Sequence, residues 1–193
     1  IINVEKFPLQ PLENITSSEI AKVLENSYRA MNIAFIDEWS KFAEVSGVDL
    51  FKVIDTIKVR PTHNNMMNPG FGVGGYCLTK DPLLASWSSQ TLFNSKKLDQ
   101  SETAVIINDK MPFHIITLMN KLKLDNPSVL FLGISYLKDV GDMRNAPFLT
   151  IEKKIKKKSS KLMTYDPYIR KSEYLTDNWK KIIETKFDLI IIG

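Results

Sequence analysis

The chain has 193 residues, 44% of them hydrophobic, and a formal net charge of +4, so it is long enough for one large domain or two modest ones. No run of about 18 apolar residues occurs, and the first residues show no basic segment followed by an apolar one, so neither a membrane span nor a signal peptide is expected. The single cysteine, Cys77, excludes a disulfide framework and favours a reducing, cytoplasmic setting. With only two histidines beside it, no metal site is predicted.

The first 124 residues are predicted to be helical. Thr16-Ser-Ser-Glu19 has the form of a capping box and predicts the start of a long helix that ends at Gly47. Apolar residues recur along this helix at helical spacing and form one stripe: Ile20, Val23, Leu24, Met31, Phe35, Trp39 and Phe42.

Shorter helices are predicted after Gly47. Asp49 caps one that runs to about Lys58, and Arg60-Pro61 opens a loop. Asp81-Pro82 predicts another helix start, because aspartate caps helices and proline suits the first turn. A further helical segment covers roughly 101–124, with a kink at Pro112.

The pattern changes at Asp125-Asn126-Pro127. Strands are predicted at 129–133, 161–165 and 189–192, and a helix at 145–158. Strands that alternate with helices predict a parallel sheet. We therefore predict a helical domain over 1–124 and an incomplete α/β domain over 125–193.

The predicted helix at 145–158 carries most of the excess positive charge, in the run Glu152-Lys-Lys-Ile-Lys-Lys-Lys158. Lysines at a helix end complement the macrodipole and are ordinarily solvated. A nucleic-acid surface would come with a recognisable module or interleaved aromatic residues, and the sequence has neither. No nucleic-acid partner is predicted.

The stretch from Asn68 to Asp81 is rich in glycine, and Gly70, Gly72 and Gly75 spell G-x-G-x-x-G. A dinucleotide-binding turn must follow a buried strand and open a helix, but the residues before Gly70 do not resemble a strand. So much glycine is entropically costly, which is easier to explain if the backbone approaches a ligand closely. A purely structural loop is the alternative.

Cys77 is a candidate nucleophile because it lies just before the predicted helix start at Asp81. Backbone N–H groups and the helix dipole favour a thiolate there, and Lys80 adds positive charge. Asp81 could carry protons or order a water molecule. A buried structural cysteine is the alternative.

Lys22 and Asn26 lie one turn apart on the long helix and share a face. An ammonium group beside an amide can hold a developing oxyanion. A solvated lysine with an ordinary polar neighbour is the alternative for this pair.

Together these segments resemble the UDP-glucose/GDP-mannose dehydrogenase family. The stretch from Pro69 to Asp81 is similar to the pattern P-G-x-G-x-G-G-x-C-x-x-x-D, and Glu19, Lys22 and Asn26 are similar to E-x-x-K-x-x-x-N. The segments 133–147 and 165–168 are similar to the start of the family's UDP-binding domain. The resemblance implies an α then α/β fold, with a helical central and dimerisation domain followed by a partial Rossmann-like, parallel-sheet UDP-binding domain.

The resemblance also implies roles for individual residues. Cys77 would be the nucleophile in a double oxidation of C6 of a UDP-sugar with NAD, through a thiohemiacetal and a thioester. Lys22 and Asn26 would hold the C6 oxygen, and Asp81 would assist proton transfers or position the hydrolytic water. Lys80 would contact the cofactor.

Further implied roles concern substrate binding and assembly. Arg60 would reach the substrate of the partner subunit in a homodimer built on the long helix. The other implied substrate contacts are Gly72, Gly74, Gly75, Tyr136, Lys138 and Arg144. His63 and His114 match no catalytic position and are interpreted as structural.

The chain departs from the family pattern in two respects. The nicotinamide-binding domain and the last part of the UDP-binding domain are absent from these 193 residues, so the chain alone is expected to be inactive. Leu137 stands where many members carry a lysine or arginine that contacts the nucleotide. Either Lys138 substitutes for it or the phosphate contact is weaker.

Three interpretations of the function stay open: a dehydrogenase from either of two branches of the family, which differ in substrate, or a protein without catalytic activity. The run from Glu25 to Ala34 is typical of the branch that acts on UDP-N-acetylhexosamines, whereas 75–81 leans toward UDP-glucose. We favour the first branch, and the family's role in supplying surface polysaccharides is implied with it. The alternative class is a dimerising or sugar-binding module without oxidoreductase activity.

Overall fold

The structure, a computed structural model, describes residues 4–170, 172–176 and 179–193. The helices in these ranges are α1 (Ile15–Ser46), α2 (Leu50–Lys58), α3 (Cys77–Thr91), α4 (Asp99–Lys110), α5 (Pro112–Lys121), α6 (Pro147–Lys157) and α7 (Trp179–Glu184). The strands are β1 (Ser128–Leu132), β2 (Lys161–Tyr165) and β3 (Leu189–Ile192). The predicted order of a helical part followed by an α/β part is confirmed.

Helix α1 begins before the predicted capping box. Asn14 is the N-cap, and its side chain accepts a hydrogen bond from the Ser17 N–H at 2.8 Å. The prediction that Thr16 caps the helix is therefore wrong, because Asn14 already satisfies a free N–H group of the first turn. The predicted end is confirmed: Gly47 adopts a left-handed conformation (φ 68°) and donates to the carbonyls of Ala43 and Glu44.

The two faces of α1 have different chemistry. Its buried face, which packs against α3 and α4, consists mostly of small or polar residues: Asn26, Ser27, Ala30, Ala34, Ile36, Asp37, Ser40 and Ala43. The apolar stripe lies on the exposed side, where Leu24 and Phe42 are each 63% exposed. Small buried residues let the neighbouring helices approach closely, while the large apolar side chains remain at the surface.

The helices after α1 follow the predictions except at the start of α3 and at Pro112. Asp49 caps α2 by accepting from two N–H groups, as predicted. Helix α3 begins at Cys77, so the prediction of a start at Asp81-Pro82 is wrong. The single helical segment predicted over roughly 101–124 with a kink at Pro112 is instead two helices, since α4 ends at Lys110 and α5 begins at Pro112.

The three described strands form a parallel sheet in the order β2-β1-β3. The parallel sheet is confirmed, and each observed strand lies within one residue of its predicted bounds. Helix α6 is shorter than predicted because Ala146 is the N-cap and Pro147 takes the first helical position. The short helix α7 has no counterpart among the predictions.

The sheet has an apolar core on each face. On one face β1 packs with α5 and α6 through Ile115, Met119, Phe131, Ile151 and Ile155, among others. On the other face Leu130 and Met163 pack against Ile182 of α7. Because α5 contributes to the first core, the helical part and the sheet share packed side chains. None of the described helices is both long and apolar enough to cross a membrane.

Candidate active site

The glycine loop (residues 69–76) lies between the two parts of the fold. Its first half packs on the helical part: the Gly70 N–H donates to the Asp37 carboxylate on α1 at 3.2 Å. Gly72 has φ +107°, and a Cβ there would lie 2.6 Å from the Asn108 carbonyl oxygen of α4. Only glycine fits this approach. The loop follows no strand, in agreement with the interpretation that it is not a dinucleotide turn.

The second half of the glycine loop packs on the α/β part. A Cβ on Gly74 would overlap the Tyr136 side chain, and one on Gly75 would lie 3.0 Å from the Tyr136 ring. The Gly75 N–H donates to the Arg144 carbonyl at 2.7 Å, and the Asn145 amide donates to the Gly75 carbonyl at 2.9 Å. The loop is therefore fixed from both sides immediately before Cys77.

Cys77 is exposed and is the first residue of α3. The alternative of a buried structural cysteine is thus not supported. A residue at the first helical position lies beside unpaired backbone N–H groups and the positive end of the helix dipole. The Thr79 hydroxyl, two residues further on, donates to the Tyr76 carbonyl at 2.9 Å and supports this first turn.

Asp81 connects α3 to α1 behind Cys77. The Asn26 amide donates to one carboxylate oxygen of Asp81 at 2.6 Å, and the Lys80 ammonium pairs with the other. Asn26 and Asp81 are 1% and 6% exposed. Burial acts to raise the pKa of Asp81, but the hydrogen bonds from Lys80 and Asn26 outweigh it and lower the pKa below its usual value. Asp81 is therefore an ionised carboxylate with both oxygens engaged.

Lys22 and Arg60 lie outside this cluster. Lys22 is exposed and pairs with Glu25 at 3.2 Å instead of contacting Asn26, although its charge still helps to lower the pKa of Asp81. Arg60 is exposed between the end of α2 and a 3-10 turn at Pro61–His63. In the described part of the chain, three of the four predicted catalytic residues come together: Asn26, Cys77 and Asp81.

The predicted substrate residues divide between two places. Arg144 lies near Cys77, with its guanidinium 4.9 Å from the centre of the Tyr76 ring and an ion pair to Asp142 at 2.5 Å. Gly72 and Lys138 line a cleft of about 840 Å³ between the end of α1, α5 and the carboxyl edge of the sheet. Tyr136 belongs to both places, since it lines the cleft and packs on Gly75.

The lining of the cleft is both aromatic and polar. Phe71, Phe131 and Phe148 line it together with Asp166, which is buried, and Tyr168, which is exposed. Cys77 is not among the described residues that line it. A ligand that used both features would have to extend from the cleft along the glycine loop.

Three residues that support the site were not predicted from the sequence. Asp166 accepts from the N–H groups of Ile134 and Ser135, so it holds the turn after β1, and these bonds outweigh burial to lower its pKa. Asp37 and Asn145 fix the two halves of the glycine loop. Asp166 and Asn145 lie within the segments 165–168 and 133–147 that resemble the family's UDP-binding domain, but neither residue was singled out from the sequence.

Among the described residues we find neither a group of metal-binding side chains nor a dinucleotide-binding turn at the glycine loop. They contain no group of three or more side chains suited to a metal ion. The glycine loop packs on α4 and on Tyr136 instead of joining a strand to a helix, so it does not fit a dinucleotide. Lys80, the predicted cofactor contact, is paired with Asp81.

These features define a class of protein. It has a helical unit and a parallel α/β unit, and a glycine loop that contacts both of them leads to an exposed thiol. Two family models match the chain, the central domain of the UDP-glucose/GDP-mannose dehydrogenase family at residues 16–110 and its UDP-binding domain at residues 130–192. The chain therefore belongs to the UDP-glucose/GDP-mannose dehydrogenase family.

Several relatives are named for a UDP-sugar dehydrogenase activity. The chain is 34% identical over 164 residues to a UDP-N-acetyl-D-mannosamine dehydrogenase of Methanococcus vannielii, an overlap of 82% of this chain and 36% of that protein. It is 30% identical over 188 residues to the enzyme of that name from Pyrococcus horikoshii, an overlap of 94% and 43%.

Solved structures show the same fold. The UDP-D-ManNAc dehydrogenase of Pyrococcus horikoshii matches with a TM-score of 0.76 at 30% identity, over 93% of this chain and 42% of that one. A UDP-glucose dehydrogenase of Pyrobaculum islandicum matches with a TM-score of 0.76 at 20% identity, over 91% and 43%, and supports the fold alone. The chain spans less than half the length of these proteins.

Proposed function

We propose that this chain is the catalytic-loop and UDP-binding portion of an NAD-dependent UDP-sugar 6-dehydrogenase, with a central domain over 1–124 and a UDP-binding domain over 125–193. The observation that carries the proposal is the buried Asn26–Asp81 hydrogen bond of 2.6 Å behind the exposed thiol of Cys77. It joins two separate family patterns, 55 residues apart, into one site.

In the proposed reaction Cys77 is the nucleophile. The C6 alcohol would lose a hydride to one NAD and become an aldehyde, to which the Cys77 sulfur would add as a thiohemiacetal. Loss of a second hydride, to a second NAD, would give the thioester, and water would then cleave the carbon–sulfur bond to release the uronate and restore the thiol. Asp81, held as a carboxylate by Asn26 and Lys80, orders that water or accepts its proton. Lys22 would have to leave Glu25 to reach the C6 oxygen, and an exposed ion pair opposes that movement only weakly.

The proposed substrate-binding residues lie along one path from the cleft to the thiol. The Lys138 side chain is 88% exposed and lies at the cleft. There it can reach a phosphate and replace the lysine or arginine that many members of the family carry where this chain has Leu137. Gly72, Gly74 and Gly75 offer backbone groups and Tyr136 its ring, while the Arg144 guanidinium lies 4.9 Å from the ring of Tyr76, the residue before Cys77. NAD is proposed as hydride acceptor from family membership, and a segment other than the glycine loop would bind it.

The proposed substrate is a UDP-N-acetylhexosamine. The relatives named as UDP-N-acetyl-D-mannosamine dehydrogenases support this choice over UDP-glucose. The test is the initial rate of NADH formation by the full-length protein with UDP-ManNAc, UDP-GlcNAc and UDP-glucose, beside a Cys77→Ser control. We expect an N-acetylated substrate to be preferred and the control to be inactive. A preference for UDP-glucose would refute the substrate assignment.

We also propose a homodimer through α1, in the cytoplasm, with Arg60 serving the partner's substrate. The exposed stripe on α1 supports this: Phe35, Trp39 and Phe42 form a contiguous aromatic ladder with ring centroids 5.9 and 5.8 Å apart. Their exposed fractions are 52%, 45% and 63%. A contiguous apolar surface of this kind ordinarily marks an interface.

The second candidate function is a dimerising or UDP-sugar-binding module without oxidoreductase activity. The position of the cleft between the helical part and the sheet favours it, because Cys77 does not line that cleft in the described part of the chain. UDP titration and an NADH assay of the full-length protein separate the two, because both candidates predict UDP binding and only the dehydrogenase predicts NADH formation. Turnover by this chain alone would contradict our expectation that it is inactive.

A further inference from the structure

Asn145 occupies an unusual position next to the glycine loop. It is an exposed residue with φ +51°, a left-handed conformation that asparagine tolerates better than most residues. Because the residue is exposed, no core packing accounts for its conformation. Its side-chain amide instead donates to the Gly75 carbonyl at 2.9 Å, across 70 residues of sequence.

The Gly75 residue is held on both its polar groups by the α/β part. Its N–H donates to the Arg144 carbonyl at 2.7 Å, and its carbonyl accepts from Asn145. The Tyr136 ring covers its Cα, where a Cβ would lie 3.0 Å from the ring. Two hydrogen bonds and one ring contact therefore fix a single backbone residue that is itself buried.

Gly75 in turn fixes the start of α3. The Thr79 hydroxyl donates to the Gly75 carbonyl at 3.1 Å and to the Tyr76 carbonyl at 2.9 Å. Cys77 lies between these residues, as the first residue of the helix. A displacement of the Gly75 carbonyl would therefore carry the first turn of α3, and Cys77 with it.

We propose that Asn145 is a positioning residue for Cys77, through which the α/β part sets the orientation of the thiol at the start of α3. It acts through the Gly75 carbonyl and does not touch the reacting atoms. The inference about thiol reactivity stands on contacts within the described chain. Its consequence for turnover rests on the proposed function.

The test measures the rate at which iodoacetamide alkylates Cys77 in the full-length protein, followed on the Cys77 peptide by mass spectrometry. Asn145→Gly removes the amide donor but still allows the left-handed backbone conformation. Asn145→Ala removes the amide donor and also disfavours that conformation. Asn94→Gly is the matched control, because Asn94 also has a positive φ (48°) but lies beyond the opposite end of α3.

We expect both Asn145 variants to alkylate more slowly than wild type, by about threefold or more at about pH 7, since the thiol loses its fixed place at the helix start. Asn94→Gly should match wild type, and Asn145→Gly should melt near the wild-type temperature because Asn145 is exposed and glycine accepts its backbone conformation. Asn145→Ala should melt lower, because alanine is strained at φ +51°. Unchanged alkylation in Asn145→Gly would overturn the proposal. So would a loss confined to Asn145→Ala, which would assign the effect to backbone strain.

A kinetic comparison separates this inference from the proposed function. With a UDP-sugar that the wild type oxidises, Asn145→Gly should lower kcat by about tenfold while KM stays near the wild-type value. The reason is that a misplaced Cys77 thiol affects the chemical step more than substrate binding. A raised KM with unchanged kcat would contradict the positioning role. If the wild type shows no dehydrogenase activity, the proposed function fails, and the alkylation rates still decide the role of Asn145.

Discussion

At the scale of single residues, Asp37 and Asp81 are two buried carboxylates on neighbouring helices with opposite pKa shifts. Asp81 has both oxygens engaged, by Asn26 and Lys80, and its pKa is lowered. Asp37 has one oxygen on the Gly70 N–H, while the other has no hydrogen-bond partner among the described residues. Burial raises the pKa of Asp37 to about 6, against the opposing effects of Gly70 and Lys41.

Asp37→Asn should stabilise the protein above pH 6 and have little effect near pH 4. Because the folded-state pKa is raised from 3.8 to about 6, the stability that the protonated carboxyl contributes is present below the unfolded-state pKa and is lost as the pH rises through about 6. The difference corresponds to on the order of 2–3 kcal/mol at about pH 8. Asparagine keeps an oxygen for the Gly70 N–H.

The measurement is the melting temperature of the full-length protein at pH 4.5 and pH 8, beside Asp55→Asn on the exposed side of α2. A gain of several degrees at pH 8 that shrinks at pH 4.5 is expected only for Asp37→Asn. The account of Asp37 is wrong if the gain is the same at both pH values.

Asp81→Asn should lower turnover by on the order of a hundredfold, because it removes the carboxylate that orders water or accepts its proton. The neutral amide can still accept from Asn26, so the fold should be retained. Initial rates with the preferred UDP-sugar, together with the melting temperature, test this. Near wild-type turnover would remove Asp81 from the proposed mechanism.

At the scale of elements, the glycine loop contains a matched pair of residues. Gly72 has φ +107° and lies against the Asn108 carbonyl, whereas a Cβ added to Gly70 would meet no atom within 4 Å, and Gly70 has no positive φ. Gly72→Ala should therefore destabilise the protein by about 1–3 kcal/mol, from backbone strain and overlap. Gly70→Ala should be tolerated, since its N–H still reaches Asp37.

Thermal melting and UDP titration of both glycine variants test this contrast. Equal melting temperatures would show that the loop adapts without cost. A loss of UDP binding in Gly72→Ala alone would agree with the proposed role of the loop in substrate binding.

The strands were predictable to within one residue because each is a short apolar run bounded by turn residues. The start of α3 could not be predicted, because contacts with residues distant in sequence determine where the helix begins. Gly75 is held by Arg144 and Asn145, and Asp81 is held by Asn26, so the helix extends back to Cys77 despite Pro82. Helix α7 was missed because six residues give too short a pattern to detect.

The candidate site could be predicted in part. Local motifs identified Cys77, Asn26 and Asp81. No motif marks Asp37, and the family-like segment that contains Asn145 did not reveal its role, since each of these two residues acts on a glycine that is distant in sequence. Helical spacing also identified the apolar stripe on α1. It could not indicate that small and polar residues form the buried face, because close helix packing depends on the neighbours α3 and α4.

At the scale of the whole molecule, the exposed stripe on α1 predicts that Phe42→Glu converts a dimer into a monomer, because a charge in a buried apolar interface has no partner. Phe93→Glu is the matched control, since Phe93 is 57% exposed and lies outside the stripe, against 63% for Phe42. Light scattering after size-exclusion chromatography measures the mass. A dimer that survives Phe42→Glu would exclude an interface centred on the stripe.

The central claim is that Cys77 forms a covalent bond with the substrate. The most direct measurement is mass spectrometry of the Cys77 peptide from full-length protein, acid-quenched while it turns over a UDP-sugar with NAD. The account predicts a peptide whose mass is increased by the oxidised sugar nucleotide, absent when NAD or the sugar is omitted. Turnover by Cys77→Ser at the wild-type rate, with no modified peptide in the wild type, would contradict it.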